Sequence, residues 1–135
     1  MTPNKYSLEI GDSFLFRNQF EEHLHVIVAE SSPGDSGDIM LVYLSSVNAS
    51  YRDETTIIEK GDHDFVTKRS WVRYQNVIVC SRNIDENSIL RHFGKVKPEL
   101  FERITSGILK SKRTPNNIKQ LYHEWKMNKA YRDMK

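Results

Sequence analysis

The chain has 135 residues, of which 38% are hydrophobic and 28% charged, and its formal net charge is +2 at pH 7. This length can form one domain with a buried core, and the composition excludes a disordered or fibrous protein. No apolar run reaches the roughly 18 residues that span a bilayer, and we expect no secretory signal because the start lacks a basic segment followed by an apolar one.

The distribution of charge and the cysteine content indicate the kind of binding partner and the cellular compartment. Residues 1–89 hold 8 Lys/Arg against 14 Asp/Glu, whereas residues 90–135 hold 12 against 4. The basic end predicts contact with nucleic acid, an acidic partner or the acidic half of a second copy, with a solvated lysine-rich surface as the alternative. The single cysteine, Cys80, lies in the apolar run NVIVCS, which predicts a buried thiol in a reducing, cytoplasmic compartment.

The first 89 residues have the pattern of short β-strands. Each candidate segment is rich in β-branched or aromatic residues, and turn-forming stretches such as SSPGDSGD separate them. The segments are GDSFLFRN, HLHVIVAES, IMLVYLSS, TTIIEK, SWVRYQ and NVIVCS. Five or six such strands in about 80 residues predict a small antiparallel barrel or sandwich.

After the last of these strands the pattern becomes helical. The stretch DENSILRHFG predicts a short helix that ends at Gly94 as its cap. Two longer helices are predicted by KPELFERITSGILKSK, which starts with Pro98 at a first helical position, and by TPNNIKQLYHEWKMNKAYRDMK. We therefore expect a strand region at 1–89 and a basic helical extension at 90–135, packed as one domain of the α+β class that is mainly β.

The order GDSFLF, HVIVAES, IMLVYLSS, SWVRYQNVIVCS and KPELFERI resembles the bacterial toxins of the MazF/PemK (CcdB-like) class over roughly residues 9 to 110. The resemblance implies an SH3-like barrel with appended helices and a homodimer. It also implies metal-independent cleavage of single-stranded RNA, and neutralisation by an antitoxin whose disordered tail covers the RNA site. No cofactor is expected.

The sequence departs from this family at one place and matches it at another. Family members commonly carry an arginine in a Gly-Arg-Arg-Pro-like stretch before the second strand, where this chain has FEEHLHVIV. The family's hydroxyl residue at the end of the third strand corresponds to Ser45 or Ser46, and the resemblance assigns Ser46 the task of positioning the scissile group. The stretch KGDHDF has no counterpart in the family pattern.

Within KGDHDF, His63 stands in a polar turn between two aspartates. Metal-free RNA cleavage needs a base, an acid and cations, and the imidazole titrates near neutral pH. We predict His63 as base or acid, with Asp62 as a group that orients the ring. The alternative is that Asp62 only caps the turn.

His23 and His25 are two residues apart on a predicted strand, so both point to one face. His25 is a candidate counterpart of His63 in acid–base chemistry. A metal-dependent hydrolase that uses His23, His25 and His63 is one alternative, and a solvated or structural pair is another.

The run KRSWVRY follows the histidine turn and carries cations around an aromatic ring. Phosphates bind cations and bases stack on rings, so the run is suited to single-stranded nucleic acid. The alternative is that the tryptophan belongs to the core. The predicted substrate-binding residues are Lys68, Arg69, Ser70, Trp71 and Arg73.

These observations together predict a toxin endoribonuclease that acts on single-stranded RNA, binds a cognate antitoxin and forms a homodimer. A non-catalytic barrel module that binds RNA or protein is the first alternative. A metal-dependent hydrolase is the second, and a toxin aimed at a protein target is the third.

Overall fold

In the computed structural model, residues 8–17, 22–34, 37–46 and 53–134 are described, and parts of FEEHLHVIV and SSPGDSGD lie outside these ranges. Seven strands precede two α-helices, with short 3₁₀ turns at Tyr74–Asn76 and Glu86–Ser88. The strands are β1 (Asp12–Arg17), β2 (Glu22–Glu30), β3 (Asp38–Ser46), β4 (Ile57–Ile58), β5 (Ser70–Val72), β6 (Ile78–Ser81) and β7 (Ile89–Lys95). The helices are α1 (Pro98–Lys110) and α2 (Asn116–Asp133).

All strand pairs are antiparallel, and β3 is central to the sheet. The strand order is β4-β5-β3-β2-β1-β7, and β6 pairs with β3 as well. One edge of β3 thus binds β5 near its end and β6 near its start. Within the described ranges the sheet does not close on itself, so the fold is barrel-like and open.

Apolar residues fill both sides of the sheet. On the helix face, side chains such as Leu24, Val26 and Val42 pack with the buried residues of α1 and α2. On the outer face, seven buried residues of the described ranges form a smaller core. They are Leu8, Phe14, Ile27, Ile39, Leu41, Ile84 and Ile89. Strands covered on both faces account for the nearly continuous apolar runs in the sequence of β2 and β3.

The two long helices occur where the sequence predicts them. Pro98 occupies the first turn of α1, where a missing N–H costs nothing. The helices bury residues four apart or nearly so, namely Leu100, Ile104 and Ile108 in α1 and Ile118, Tyr122 and Trp125 in α2. This spacing puts the apolar side chains on one side of each helix, where they meet the sheet.

The prediction of a short helix over DENSILRHFG is wrong, because residues Ile89–Lys95 form β7, which pairs with β1. Two register shifts in this pairing leave Leu90 and Phe93 as extra residues on β7. Gly94 is not a helix cap; its φ of +81° belongs to the irregular end of this strand, and only glycine adopts such a value without strain. The strands therefore extend to Lys95, beyond the boundary expected at residue 89.

The predicted α+β class with mainly β content is confirmed, and each of the six predicted strand segments contains a strand. Neither helix in the described ranges has the length and apolar character that crossing a membrane requires.

Candidate functional site

A groove of about 590 Å³ lies at the end of the sheet where β2 begins and β3 ends. Its walls come from these two strands, from the segment between β4 and β5, from the first residue of β5, and from one residue of β7. The polar and charged residues along it are Glu22, His23, Ser46, Asp64, Thr67, Lys68, Ser70 and Arg91. Three of the predicted site residues, Ser46, Lys68 and Ser70, are therefore neighbours on one surface.

The charge of the groove favours an anionic ligand. Lys68 and Arg91 are exposed, and neither forms an ion pair with another described residue. Glu22 is bound by Arg17 at 2.6 Å, so its charge is largely compensated. Asp64 is the other carboxylate on the walls, so two cations and this carboxylate leave a net positive charge along the groove.

His63 is held by the protein at both ring nitrogens. Its Nε2 lies 2.9 Å from Oγ of Ser13, whose hydroxyl donates to the carbonyl oxygen of Gly94. Its Nδ1 accepts the backbone N–H of Phe65 at 3.0 Å. These partners fit a neutral ring with the proton on Nε2. Burial lowers the pKa of His63, although Asp64 acts in the opposite direction, and the neutral state is favoured.

Asp62 binds the backbone and a helix. Its carboxylate accepts the N–H of Glu59 at 2.8 Å and the guanidinium of Arg103 on α1 at 2.8 Å. The backbone bond from Glu59 and then Arg103 lower the pKa of Asp62. Both nitrogens of His63 bind other groups, so in this structure Asp62 caps the turn and ties it to α1.

His25 is buried in an aromatic cluster, with 1% of its surface exposed. Its ring stacks on Phe14, lies edge-on to Phe16 and packs against Tyr43. Its Nδ1–H donates to the carbonyl of His23 at 2.8 Å. Burial lowers the pKa of His25 to about 4, so the ring is neutral and covered at physiological pH.

The structure does not bring His25 and His63 together. On β1, Phe14 pairs with His25 and the adjacent Ser13 pairs with Val26. Successive residues of a strand point to opposite faces, so Ser13 lies on the helix face and His25 on the outer face. Because His63 binds Ser13, the two imidazoles lie on opposite sides of the sheet.

His23 lines the groove and has an assigned tautomer. Its Nδ1 lies 3.2 Å from the carbonyl of Leu44, which fits a tautomer with the proton on Nδ1. Among the described residues no group of three or more His, Cys, Asp or Glu could hold a metal ion. The arrangement of His23, His25 and His63 required by the metal-dependent alternative is thus not present there.

The remaining predicted binding residues lie away from the groove walls. Trp71 is 1% exposed and donates from Nε1 to the carbonyl of Ser46, so its ring has no open face for a base. The guanidinium of Arg73 lies 5.1 Å from the Trp71 ring centroid and 5.7 Å from that of Tyr43. Arg69 pairs with Glu59 at 2.8 Å on the surface.

Phe65 and Arg91 line the groove, and the sequence pattern does not predict either of them as a site residue. Arg91 falls in DENSILRHFG, and the helix predicted there gave no reason to place it beside the strands. Phe65 follows the histidine turn, whereas the sequence pattern favours Trp71 as an aromatic platform. Its position in the sequence could have indicated an exposed site for Phe65. It stands between turn-forming and charged residues, which are mostly exposed.

Comparisons with known proteins bear on the fold. No family model matches the chain, and no curated protein matches it significantly. Among solved structures, the fold is similar to an "endoribonuclease in complex with its cognate antitoxin from Mycobacterial species", with a TM-score of 0.51 and 16% identity. The match covers 74% of this chain and 89% of that one. At this identity the likeness establishes that the chain shares the fold of that endoribonuclease.

Proposed function

We propose that this protein is a metal-independent endoribonuclease that cleaves single-stranded RNA, and that it is the toxin of a toxin–antitoxin pair. The observation that carries the proposal is the groove, whose walls carry an imidazole, three hydroxyls and two cations without ion-pair partners among the described residues. The fold shared with an endoribonuclease supports the same reaction class.

In the proposed mechanism, His23 is the base. Its Nε2 takes the proton from the ribose 2′-hydroxyl as the 2′-oxygen forms a bond to phosphorus. Lys68 and Arg91 stabilise the charge that develops on the phosphorane oxygens. The bond from phosphorus to the 5′-oxygen then breaks, and the ammonium of Lys68 supplies the proton to that oxygen. The products are a 2′,3′-cyclic phosphate and a 5′-hydroxyl.

The other predicted residues have supporting tasks in this proposal. Ser46 and Ser70 lie on the groove, and the hydroxyl of Ser46 orients the scissile phosphate. His63 and Asp62 hold the wall that carries Lys68, while Trp71 fixes the end of β3 through its bond to Ser46. His25, Arg69 and Arg73 stabilise the fold around the site.

Incubating the purified protein with mixed-sequence single-stranded RNA in EDTA tests this function. We expect cleavage with cyclic-phosphate ends, and a loss of about a hundredfold or more for His23→Ala, as is typical on removal of a general base. His123→Ala, at an exposed position of α2, is the matched control and retains activity. Full activity of His23→Ala together with inactivity of His63→Ala would instead return the base role to His63.

A non-catalytic RNA-binding module is the second candidate, because His25 and His63 are both held in structural hydrogen bonds. Tight binding of the same RNA without any cleavage, in the presence or absence of divalent metal ions, would favour this candidate.

We also propose an antitoxin partner, since the solved endoribonuclease of similar fold is in complex with its cognate antitoxin. The homodimer is proposed from the family resemblance alone. Expression of the chain alone should arrest growth, and an antitoxin encoded beside it should restore growth. Arrest without decay of cellular RNA would indicate a protein target.

A further inference from the structure

Phe65 is an exposed aromatic residue on a groove wall. Its surface is 41% exposed, whereas the next residue, Val66, is buried with 6% exposed. It is the one exposed phenylalanine among the described residues, and it lies on the same groove as Lys68 and Arg91. An open apolar ring beside cations is the arrangement that binds the base and phosphates of a single strand.

The turn before Phe65 fixes its backbone. Nδ1 of His63 accepts the N–H of Phe65 at 3.0 Å, and the carbonyl of His63 accepts the N–H of Val66 at 3.0 Å. His63 is in turn bound to Ser13 of β1, and Asp62 is bound to α1. The wall is therefore anchored on two sides, so little conformational entropy is lost there when a ligand binds.

The Phe65 ring packs against Phe93, which also contacts His63 and Arg91. Its centroid lies 5.7 Å from that of Phe93, and the His63 ring lies 5.0 Å from Phe93 at 73°. The guanidinium of Arg91 lies 4.5 Å from the Phe93 centroid. Phe65 and Arg91 thus both contact the Phe93 ring, and both line the groove.

We propose that Phe65 is the base-stacking platform of this protein and that His63 is the residue that positions it. One nucleobase of single-stranded RNA stacks on the Phe65 ring, while Lys68 and Arg91 bind the scissile phosphate next to that base. This inference rests on the proposed action on RNA, and it gives the turn KGDHDF a task in binding. Stacking on one aromatic side chain accounts for about 5- to 150-fold in affinity.

Binding of a fluorescent, 2′-O-methylated RNA oligonucleotide tests the platform, because this RNA lacks the 2′-hydroxyl that cleavage requires. We expect Phe65→Ala to weaken binding about 5- to 150-fold and Phe65→Tyr to retain it. Leu109→Ala is the matched control, since Leu109 on α1 is 45% exposed and does not line the groove. Equal affinities of Phe65→Ala and the parent would overturn the proposal.

An abasic oligonucleotide of the same length separates stacking from phosphate binding. The parent and Phe65→Ala should bind it equally, because no base is present to stack. If Phe65→Ala weakens abasic binding as much as it weakens binding of the base-bearing strand, the ring acts only on the shape of the groove and the proposal fails.

A double variant tests the role of His63. His63→Ala should weaken binding of the base-bearing strand, and His63→Ala combined with Phe65→Ala should bind within about twofold of Phe65→Ala alone, because the two residues act through one contact. Independent, additive losses would overturn the positioning role.

Cleavage assays on the same variants separate this inference from the proposed function. If Phe65→Ala weakens RNA binding but the parent does not cleave RNA, the endoribonuclease proposal is refuted. The stacking role of Phe65 then still stands. If Phe65→Ala changes neither cleavage nor binding, the stacking role of Phe65 is refuted and the endoribonuclease proposal stands.

Discussion

His23, His25 and His63 differ in the groups that surround each imidazole ring. His25 is covered by aromatic side chains, His63 is bound by Ser13 and by the backbone of Phe65, and His23 lines the groove. A histidine acts as a base only if its lone pair can reach the substrate. The environment of each ring, more than its presence in the sequence, therefore decides which one is the candidate catalyst.

The first prediction concerns the acid stability of the fold. The folded pKa of His25 is about 4, below the ordinary 6.5, so the unfolded chain binds the proton more readily between these values. The contribution of His25 to the free energy of unfolding is therefore complete above pH 6.5 and decreases as the pH falls, by up to about 3 kcal/mol. His25→Phe should reduce this dependence, which urea unfolding from pH 7 to pH 4.5 measures.

His123→Gln, at an exposed position, provides the control for this series and should follow the parent. The lowered pKa of His63 acts in the same direction, so His25→Phe should flatten the pH profile only in part. A profile of His25→Phe that coincides with that of the parent would contradict the burial argument.

At the scale of elements, α1 packs tightly against Thr56 and Tyr74 at Gly107. A Cβ at this position would lie 2.0 Å from the hydroxyl of Tyr74 and 2.6 Å from Oγ1 of Thr56. Tyr74 is fully buried and donates to the carbonyl of Ile104 at 2.6 Å, so it has little freedom to move. The small size of one residue thus allows the helix to pack over this hydrogen-bonded pair.

The second prediction follows from this contact. Gly107→Ala should lower the free energy of unfolding by about 2–4 kcal/mol, because the methyl group overpacks the site and displaces buried hydrogen bonds. Ser106→Ala, at the exposed neighbouring position, should change it by about 0.5 kcal/mol or less. Urea unfolding of both variants checks this, and equal stabilities would show that the helix shifts at no cost.

The third prediction concerns the segment between β4 and β5. If Asp62 only caps the turn and pairs with Arg103, Asp62→Asn should cost about 1 kcal/mol or less, since the pair is partly exposed and the amide oxygen still accepts the N–H of Glu59. Cleavage by this variant should stay within a few-fold of the parent. A loss near a hundredfold would assign Asp62 a direct part in catalysis.

The strands show which parts of the fold a sequence pattern can predict. Period-2 alternation and apolar runs located β1 to β6, because those strands pair in mostly regular register. On β7 the two extra residues, Leu90 and Phe93, interrupt the alternation and place Ile89, Leu90 and Phe93 at helix-like spacing. Bulges depend on the partner strand and so leave no clear mark in a single sequence.

At the scale of the whole molecule, the candidate site was only partly predictable. Ser46, Lys68 and Ser70 lie on one groove as the sequence order suggested, but the roles expected for Trp71 and His25 conflict with their burial. Alternation along a strand gives the face of a side chain, but this sheet is covered on both faces. Whether a residue is core or surface then depends on the helices and loops that pack over it.

The fourth prediction concerns the salt dependence of RNA binding. Each phosphate contact on a single strand changes the slope of log K against log salt concentration by about 0.7. Lys68→Ala and Arg91→Ala should each make the slope less steep by this amount, as measured by anisotropy between 50 and 300 mM salt. Lys112→Ala, which does not line the groove, should keep the parental slope. Unchanged slopes for the first two variants would remove them from the binding site.

The pairing of β1 with β7 joins the first and last strands of the sheet. During synthesis on the ribosome, β1 to β6 emerge first, and the wall that carries Arg91 arrives only with β7. Long-range pairing of this kind is completed late in folding. A nascent chain therefore lacks a complete groove until β7 has been synthesised, and any activity of the groove begins only after that point.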